Sequence, residues 1–241
     1  MESLEIENMS VSYQGKSVLS QLSLTIPSKK MVGIIGPNGA GKSSLLKGIL
    51  GLVPTKTGRI FYNGEVVSKQ KNLIAYVEQR QEIDLTFPID VFNVVLLGTY
   101  PQLNFFKRPG KRQKEITWQA LEKVDLTAFA KRQISELSGG QLQRVFIARA
   151  LAQQAPWLLL DEPFAGIDAA SEKIIVELLK KLRDEGKSIV IVHHDLHKIR
   201  DYFDEVILLN HGVVAAGGIE QVYTSENMVK AYGDALINFN L

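Results

Sequence analysis

Two periods of apolar spacing run along the chain. From Leu4 to Tyr13 the pattern Leu4-Glu5-Ile6-Glu7-Asn8-Met9-Ser10-Val11-Ser12-Tyr13 alternates through much of its length. Residues 18–26 do the same, with Leu22, Leu24 and Ile26 on one face. Alternation predicts antiparallel strands with one wet face, joined here by the turn Gln14-Gly15-Lys16. Residues 58–62, Asn63-Gly64 and Val66-Val67 predict a hairpin on an Asn-Gly turn, and 73–77 another short strand. Unbroken apolar runs stand at 31–35, 157–160 and 188–192. They predict buried strands of the kind found in parallel sheets. Two more strands, 206–209 and 213–216, flank Asn210-His211-Gly212.

Helical spacing fills much of the rest. Residues 44–52 place Leu45, Leu46, Ile49 and Leu50 on one side. Residues 170–185 do so with Ile174, Ile175, Leu178, Leu179 and Leu182, and Gly186 closes that helix. A short helix is expected at 195–202 and another at 225–232. From about 87 to 154 helices dominate: Pro88 stands at a helix start, 89–98 is rich in apolar residues, and 113–124 and 140–152 are helical. Strands alternating with helices predict an α/β fold with a mostly parallel sheet flanked by helices. An antiparallel β subdomain precedes its helical insert. The chain is expected to be a single domain over 1–241, with a helical subdomain inserted at about 87–154.

Composition narrows the class. The 241 residues are 45% hydrophobic, enough for one large α/β core, and the net charge of +2 implies no polyanion partner. The absence of cysteine removes disulfides and thiolate metal sites and fits a reducing compartment. Met1-Glu2-Ser3-Leu4-Glu5 has no basic segment leading into an apolar run, so no secretory signal is expected. The longest apolar runs fall far short of a membrane span. A soluble chain is expected, held at a membrane only by another protein. The basic loop at 107–114 has solvation as its default reading, with lipid headgroups or nucleic acid as the other two.

Chemistry enters at Gly36-Pro37-Asn38-Gly39-Ala40-Gly41-Lys42-Ser43, which fits the phosphate-binding P-loop. A buried strand precedes it and a helix follows it, as the motif requires. Glycines let the backbone curl so that its N–H groups point inward, and the helix N-terminus adds partial positive charge. Lys42 is expected to reach the β- and γ-phosphates, Ser43 to ligate Mg²⁺ and Ser44 to lie near the α-phosphate. Asp161-Glu162-Pro163 closes a buried strand. Asp161 there is placed to hold Mg²⁺ directly or through water, and Glu162 to polarise an attacking water. Leu137-Ser138-Gly139-Gly140-Gln141 reads as a helix start capped by Ser138. Capping leaves two consecutive glycines unexplained. A second phosphate-facing helix start explains all five.

P-loop, then L-S-G-G-Q, then an L-L-L-D-E-P strand resembles the ATP-binding subunit of ABC transporters, over essentially the whole chain. The resemblance implies roles at matching positions. Tyr13 matches the aromatic that stacks on adenine. Gln79 matches the glutamine that meets Mg²⁺ and the attacking water and senses the membrane partner. Ser138, Gly140 and Gln141 match the signature that closes over the γ-phosphate of the opposite subunit. Asp168, in Ala165-Gly166-Ile167-Asp168, matches the D-loop, although the commoner form is S-A-L-D. His194 matches the histidine that contacts the γ-phosphate. The cluster His193-His194-Asp195-Leu196-His197 also invites a metal-site reading. Adjacent strand residues point to opposite faces, which opposes sharing of one ion by His193 and His194.

The resemblance implies ATP and Mg²⁺ as cofactors and two ATPase subunits packed head to tail. It further implies integral membrane permease subunits as partners, an external substrate-binding protein acting indirectly, and no nucleic acid. The location implied is peripheral, on the cytoplasmic face of the plasma membrane. Phe87-Pro88-Ile89-Asp90-Val91, Val94-Val95-Leu96-Leu97-Gly98, Phe164-Ala165-Gly166-Ile167-Asp168 and Val192-His193-His194-Asp195-Leu196 look like the ATPases of bacterial manganese and zinc importers. Ferric-chelate and vitamin B12 importers are near neighbours. Two other classes stay open. One is a cytosolic ABC ATPase without a transport role. The other is a P-loop kinase, which has no use for L-S-G-G-Q.

Overall fold

The computed structural model describes residues 2–13, 15–70, 72–79, 85, 87–103 and 108–233. Gln14 and Lys107, named above in a turn and in the basic loop, lie outside them. The chain runs β1 (Ser3–Tyr13), β2 (Lys16–Pro27), β3 (Met31–Ile35), α1 (Lys42–Ile49), β4 (Thr55–Tyr62), β5 (Glu65–Val66) and β6 (Ile74–Val77). It continues α2 (Val91–Leu97), α3 (Lys111–Lys123), α4 (Gly139–Ala152), β7 (Trp157–Asp161), α5 (Ala169–Asp184) and β8 (Ser188–Val192). It closes with α6 (Ile199–Tyr202), β9 (Glu205–Leu209), β10 (Val213–Gly218), α7 (Ile219–Val222) and α8 (Ser225–Tyr232). The elements form two compact units, Met1–Gln70 with Lys187–Leu241, and Lys71–Gly186.

In the first unit an antiparallel sheet has the order β2-β1-β4-β5. Leu4, Ile6, Met9 and Val11 of β1 are buried, and the register shifts between Ile6 and Met9, where Asn8 has φ 48°. The bulge keeps the apolar set on one face although the alternation slips by a residue. Asn63 and Gly64, with φ 52° and 77°, form the hairpin turn that pairs Tyr62 with Glu65. Two left-handed residues match the twist of the flanking strands. In the second sheet of this unit β3 is flanked by β8 and β9, both parallel to it, and β10 is antiparallel to β9. All of β3 and β8 is buried.

Helix α1 starts at Lys42, two residues earlier than the spacing suggests. Gly41 at φ 94° turns the loop straight into it. It ends at Ile49 because Gly51, φ 67°, closes a Schellman motif in which Leu52 N–H donates to Lys47 O at 2.9 Å. Leu52 is left exposed.

In the second unit β6 and β7 pair in parallel, with Tyr76 opposite Leu159. Helices α2, α3 and α4 pack on one another, and α4 also meets β6 and α5. Helix α2 is capped by Asp90, whose Oδ1 accepts the Asn93 N–H at 2.7 Å, and Pro88 stays outside it. A carboxylate cap fixes the start where Pro88 alone supplies only a favourable φ. Gly98 lets the end of α2 sit on α4: a Cβ there falls 1.9 Å from Arg149 O. On α5 the buried positions are Glu172, Ile175, Val176, Leu179 and Leu182, and Ile174 is exposed. The apolar positions wrap further round α5 than one packing stripe, so the sequence alone sets the face off by about a residue. Among the described residues no helix is long and apolar enough to cross a membrane.

Candidate active site

The P-loop lies between β3 and α1 in the first unit. Gly36, Gly39 and Gly41 have φ 150°, 81° and 94°, which curls the chain round Lys42. Lys42 is buried, and its Nζ donates to Gly36 O and Pro37 O, both at 2.9 Å. A buried ammonium needs such acceptors, and here they hold it at the centre of the curl. Gly36 permits close approach: a Cβ there lies 2.0 Å from Leu209 O. The turn after β9 also grips the loop, since His211 N–H donates to Ala40 O at 3.0 Å. On α8, burial pushes the Tyr232 hydroxyl up to about 12, against a hydrogen bond from the Gly36 backbone that favours its ionised form. The sequence marked His211 only as a turn residue and Tyr232 only as helix, so this bracing was not legible.

Ser43 and Ser44 follow in the first turn of α1 and are half-buried. Tyr13, the last residue of β1, is 41% exposed, which leaves ring surface for stacking. Beyond β8, His193 and His194 separate by environment: His193 is buried and His194 exposed. His193 packs by its ring on Tyr202 and Phe203, with centroids 5.8 and 5.7 Å away. Among the described residues no group of three or more His, Asp or Glu is arranged to hold a metal ion.

The second unit carries the carboxylates. Asp161 is the last residue of β7 and is buried, with the Tyr76 hydroxyl 3.4 Å from its Oδ2. Glu162 follows at φ 46°, in the left-handed region that a residue with a Cβ enters at a cost of roughly 1–2 kcal/mol. Strain of this kind collects where a side chain must be aimed. Gln79 Nε2 donates to Glu162 Oε2 at 3.0 Å. Beside them Glu78 and Arg149 pair at 3.2 Å.

Ser138 caps α4 in a capping box. Its Oγ accepts the Gln141 N–H at 3.3 Å, and Gln141 Oε1 accepts the Ser138 N–H at 3.0 Å. Ser138 is exposed and Gly140 buried. Asp168 caps α5, accepting Ser171 N–H at 2.9 Å and the Ser171 hydroxyl at 2.7 Å. Those bonds, the backbone one first, hold the Asp168 carboxyl below its ordinary value. Tyr76 and Ser171 escaped the sequence reading. Tyr76 alternates with buried Ala75 and Val77, a period-two signal that it faces the other way.

A glycine-curled loop with a buried lysine at a helix start, and an Asp-Glu pair ending a buried strand, define a P-loop nucleotide hydrolase. Residues 19–165 match the ABC transporter family. The chain is 57% identical over 236 residues to the manganese transport system ATP-binding protein MntB of Listeria innocua, covering 98% of each. It is 48% identical over 230 residues to the zinc transport system ATP-binding protein TroB of Treponema pallidum, covering 95% of this chain and 86% of that protein. The fold matches a nucleotide-free ATP-binding cassette from an ABC transporter, with TM-score 0.81 and 25% identity over 98% of this chain and 96% of that one. It also matches the dimeric structure of MJ0796, a bacterial ABC transporter cassette, with TM-score 0.76 and 28% identity over 90% and 98% of the two chains. This chain belongs to the ABC transporter family, as an ATP-binding, ATP-hydrolysing subunit.

Proposed function

We propose that this chain hydrolyses ATP to energise manganese import through separate permease subunits, from the cytoplasmic face of the plasma membrane. The observation that carries the cargo is the 57% identity to a manganese transport ATP-binding protein across 98% of both chains. The zinc relative, at 48%, supports zinc as the second reading. An external binding protein would deliver the ion, which passes through the permease and not through this chain.

Gly36 to Ser44 would hold the phosphates and Tyr13 the adenine. Ser43, Gln79 and Asp161 offer hydroxyl, amide and carboxylate oxygens, a hard donor set that suits Mg²⁺. Mg²⁺ bound there would neutralise charge on the phosphate oxygens. Glu162 would accept the proton of the attacking water as its oxygen bonds to the γ-phosphorus and the bond to the ADP oxygen breaks. Lys42 and His194 would stabilise charge on the phosphoryl oxygens. Ser138, Gly140 and Gln141 would close over the nucleotide of a second copy packed head to tail, with Asp168 beside them. The dimeric structure of MJ0796 supports the pairing of two copies. The single-domain reading, with a helical subdomain at about 87–154, belongs to the same proposal.

For the permease, a groove of about 300 Å³ in the second unit is lined by Tyr76, Leu97, Pro101 and Arg149 among others. Leu97 and Tyr100 are exposed beside it. Tyr76 lines this groove and reaches Asp161, so docking and chemistry share a residue. Val94, on the same helix as Leu97, is buried and belongs to the core.

The test is transport. The chain is copurified with its permease, reconstituted in vesicles with ATP on its own side, and supplied with binding protein and Mn²⁺ or Zn²⁺ outside. ATP-dependent accumulation of manganese over zinc is expected. Accumulation of neither ion overturns the metal-import reading.

A further inference from the structure

Gly140 is buried in the first turn of α4. A Cβ built there lies 2.3 Å from both Cβ and Oγ of Ser171, in the first turn of α5. Ser171 is also the residue whose N–H and hydroxyl bind the two carboxylate oxygens of Asp168, at 2.9 and 2.7 Å. The starts of two long helices therefore meet at one contact, and Asp168 is tied to it. Gly140 thus has a packing reason as well as any role toward phosphate: with a side chain at 140 the helices cannot approach this closely.

The geometry points to Ser171 as a positioning residue that fixes the Asp168 loop to the start of α4, and so holds Ser138 in place. The inference rests on the reading of Ser138 as a donor to the nucleotide of a second copy. Close-packed contacts transmit displacement instead of absorbing it, so a shift at Asp168 is passed through Ser171 to the turn that carries Ser138. An ordinary Cβ contact needs roughly 1 Å more room than the 2.3 Å present at Gly140. Misplacement of that size at a catalytic donor costs about 10²-fold in rate.

The experiment measures ATP turnover and KM on the full chain copurified with its permease. Gly140→Ala should lower kcat by about 10–100-fold with KM changed less than about twofold, because the P-loop is untouched. Adding Ser171→Gly removes both clashing atoms while the residue 171 N–H still binds Asp168, and should restore part of kcat, short of wild type because the hydroxyl bond to Asp168 is lost. Adding Ser171→Ala keeps the clashing Cβ and should restore none. If Gly140→Ala does not fold, recovery of folded protein with Ser171→Gly and not with Ser171→Ala is the same test. Equal recovery with both partners, or recovery with neither, overturns the proposal. Failure to recover with Ser171→Gly is also the outcome expected if the added methyl strikes nucleotide instead of α5. Ser138→Ala, run alongside, separates the two levels. Wild-type turnover there sinks the reading of Ser138, whereas lost turnover there combined with no selective rescue sinks only the role of Ser171.

Discussion

Gln79 Nε2 and Glu162 Oε2 lie 3.0 Å apart, joining the segment after β6 to the segment after β7. Their strands pair in parallel, so both residues emerge at the same edge. The amide gives Glu162 a fixed partner while its own backbone is held at φ 46°. Gln79→Ala should lower kcat by about 10–100-fold, since it removes the partner that fixes the aim of Glu162. Gln79→Glu sets two carboxyls side by side, and one of them then keeps its proton to higher pH. The rising limb of the pH–kcat profile should move upward in that variant. An unmoved profile would mean that the pair does not face each other during turnover.

Gly36→Ala drives a methyl toward Leu209 O, which leaves only 2.0 Å for it, at a backbone φ of 150°. The P-loop must shift away. Overpacking of this kind costs about 1–3 kcal/mol, and in a loop that cradles phosphate the affinity for ATP should fall by about tenfold or more. Calorimetric titration with ATP checks it, and unchanged affinity would contradict the role of the curl.

Val94 and Leu97 separate packing from docking. Val94 is 4% exposed and Leu97 46% exposed on the same short helix. Val94→Glu should lower stability by on the order of 3–5 kcal/mol, as for a buried charge left without a partner. Leu97→Glu should leave the melting temperature and ATP turnover of the isolated chain in place while transport by the full complex falls. Equal loss of melting temperature in both variants would make Leu97 part of the core.

Asp168 makes the start of α5 sensitive to acid. Its carboxyl is held below the ordinary value by the Ser171 N–H and hydroxyl. A depressed carboxyl contributes stability above its unfolded pKa, and that contribution fades as pH falls through the folded value. Asp168→Ala should therefore melt lower than wild type at neutral pH, with the gap closing in acid below the ordinary carboxylate range. A gap independent of pH would deny the carboxylate its role as the cap.

Much of this was legible because the relevant signals are local. The Asn63-Gly64 turn, the strand at 157–161 and the α8 bounds at 225 and 232 follow from short-range pattern and turn chemistry. The P-loop glycines announce their own backbone. What escaped depends on neighbours distant in sequence. Val94 and Ile174 are equally apolar as letters, and only helix packing buries one and exposes the other. Gly140 read as a phosphate feature because nothing in the sequence places Ser171 against it. Tyr76, His211 and Tyr232 support the site across long sequence separations, and single-sequence periodicity carries no such pairing.

The head-to-tail dimer with Glu162 as the base is tested most directly by light scattering on Glu162→Gln with saturating ATP and Mg²⁺. Glutamine keeps the shape of the side chain and removes the acceptor of the water proton, so hydrolysis should slow by roughly 10²–10⁴-fold and the closed state should persist. A mass near twice 26.8 kDa with ATP, falling to a single chain without it, is the predicted result. A mass of one chain at saturating ATP, with ATP consumed at the wild-type rate, would contradict it.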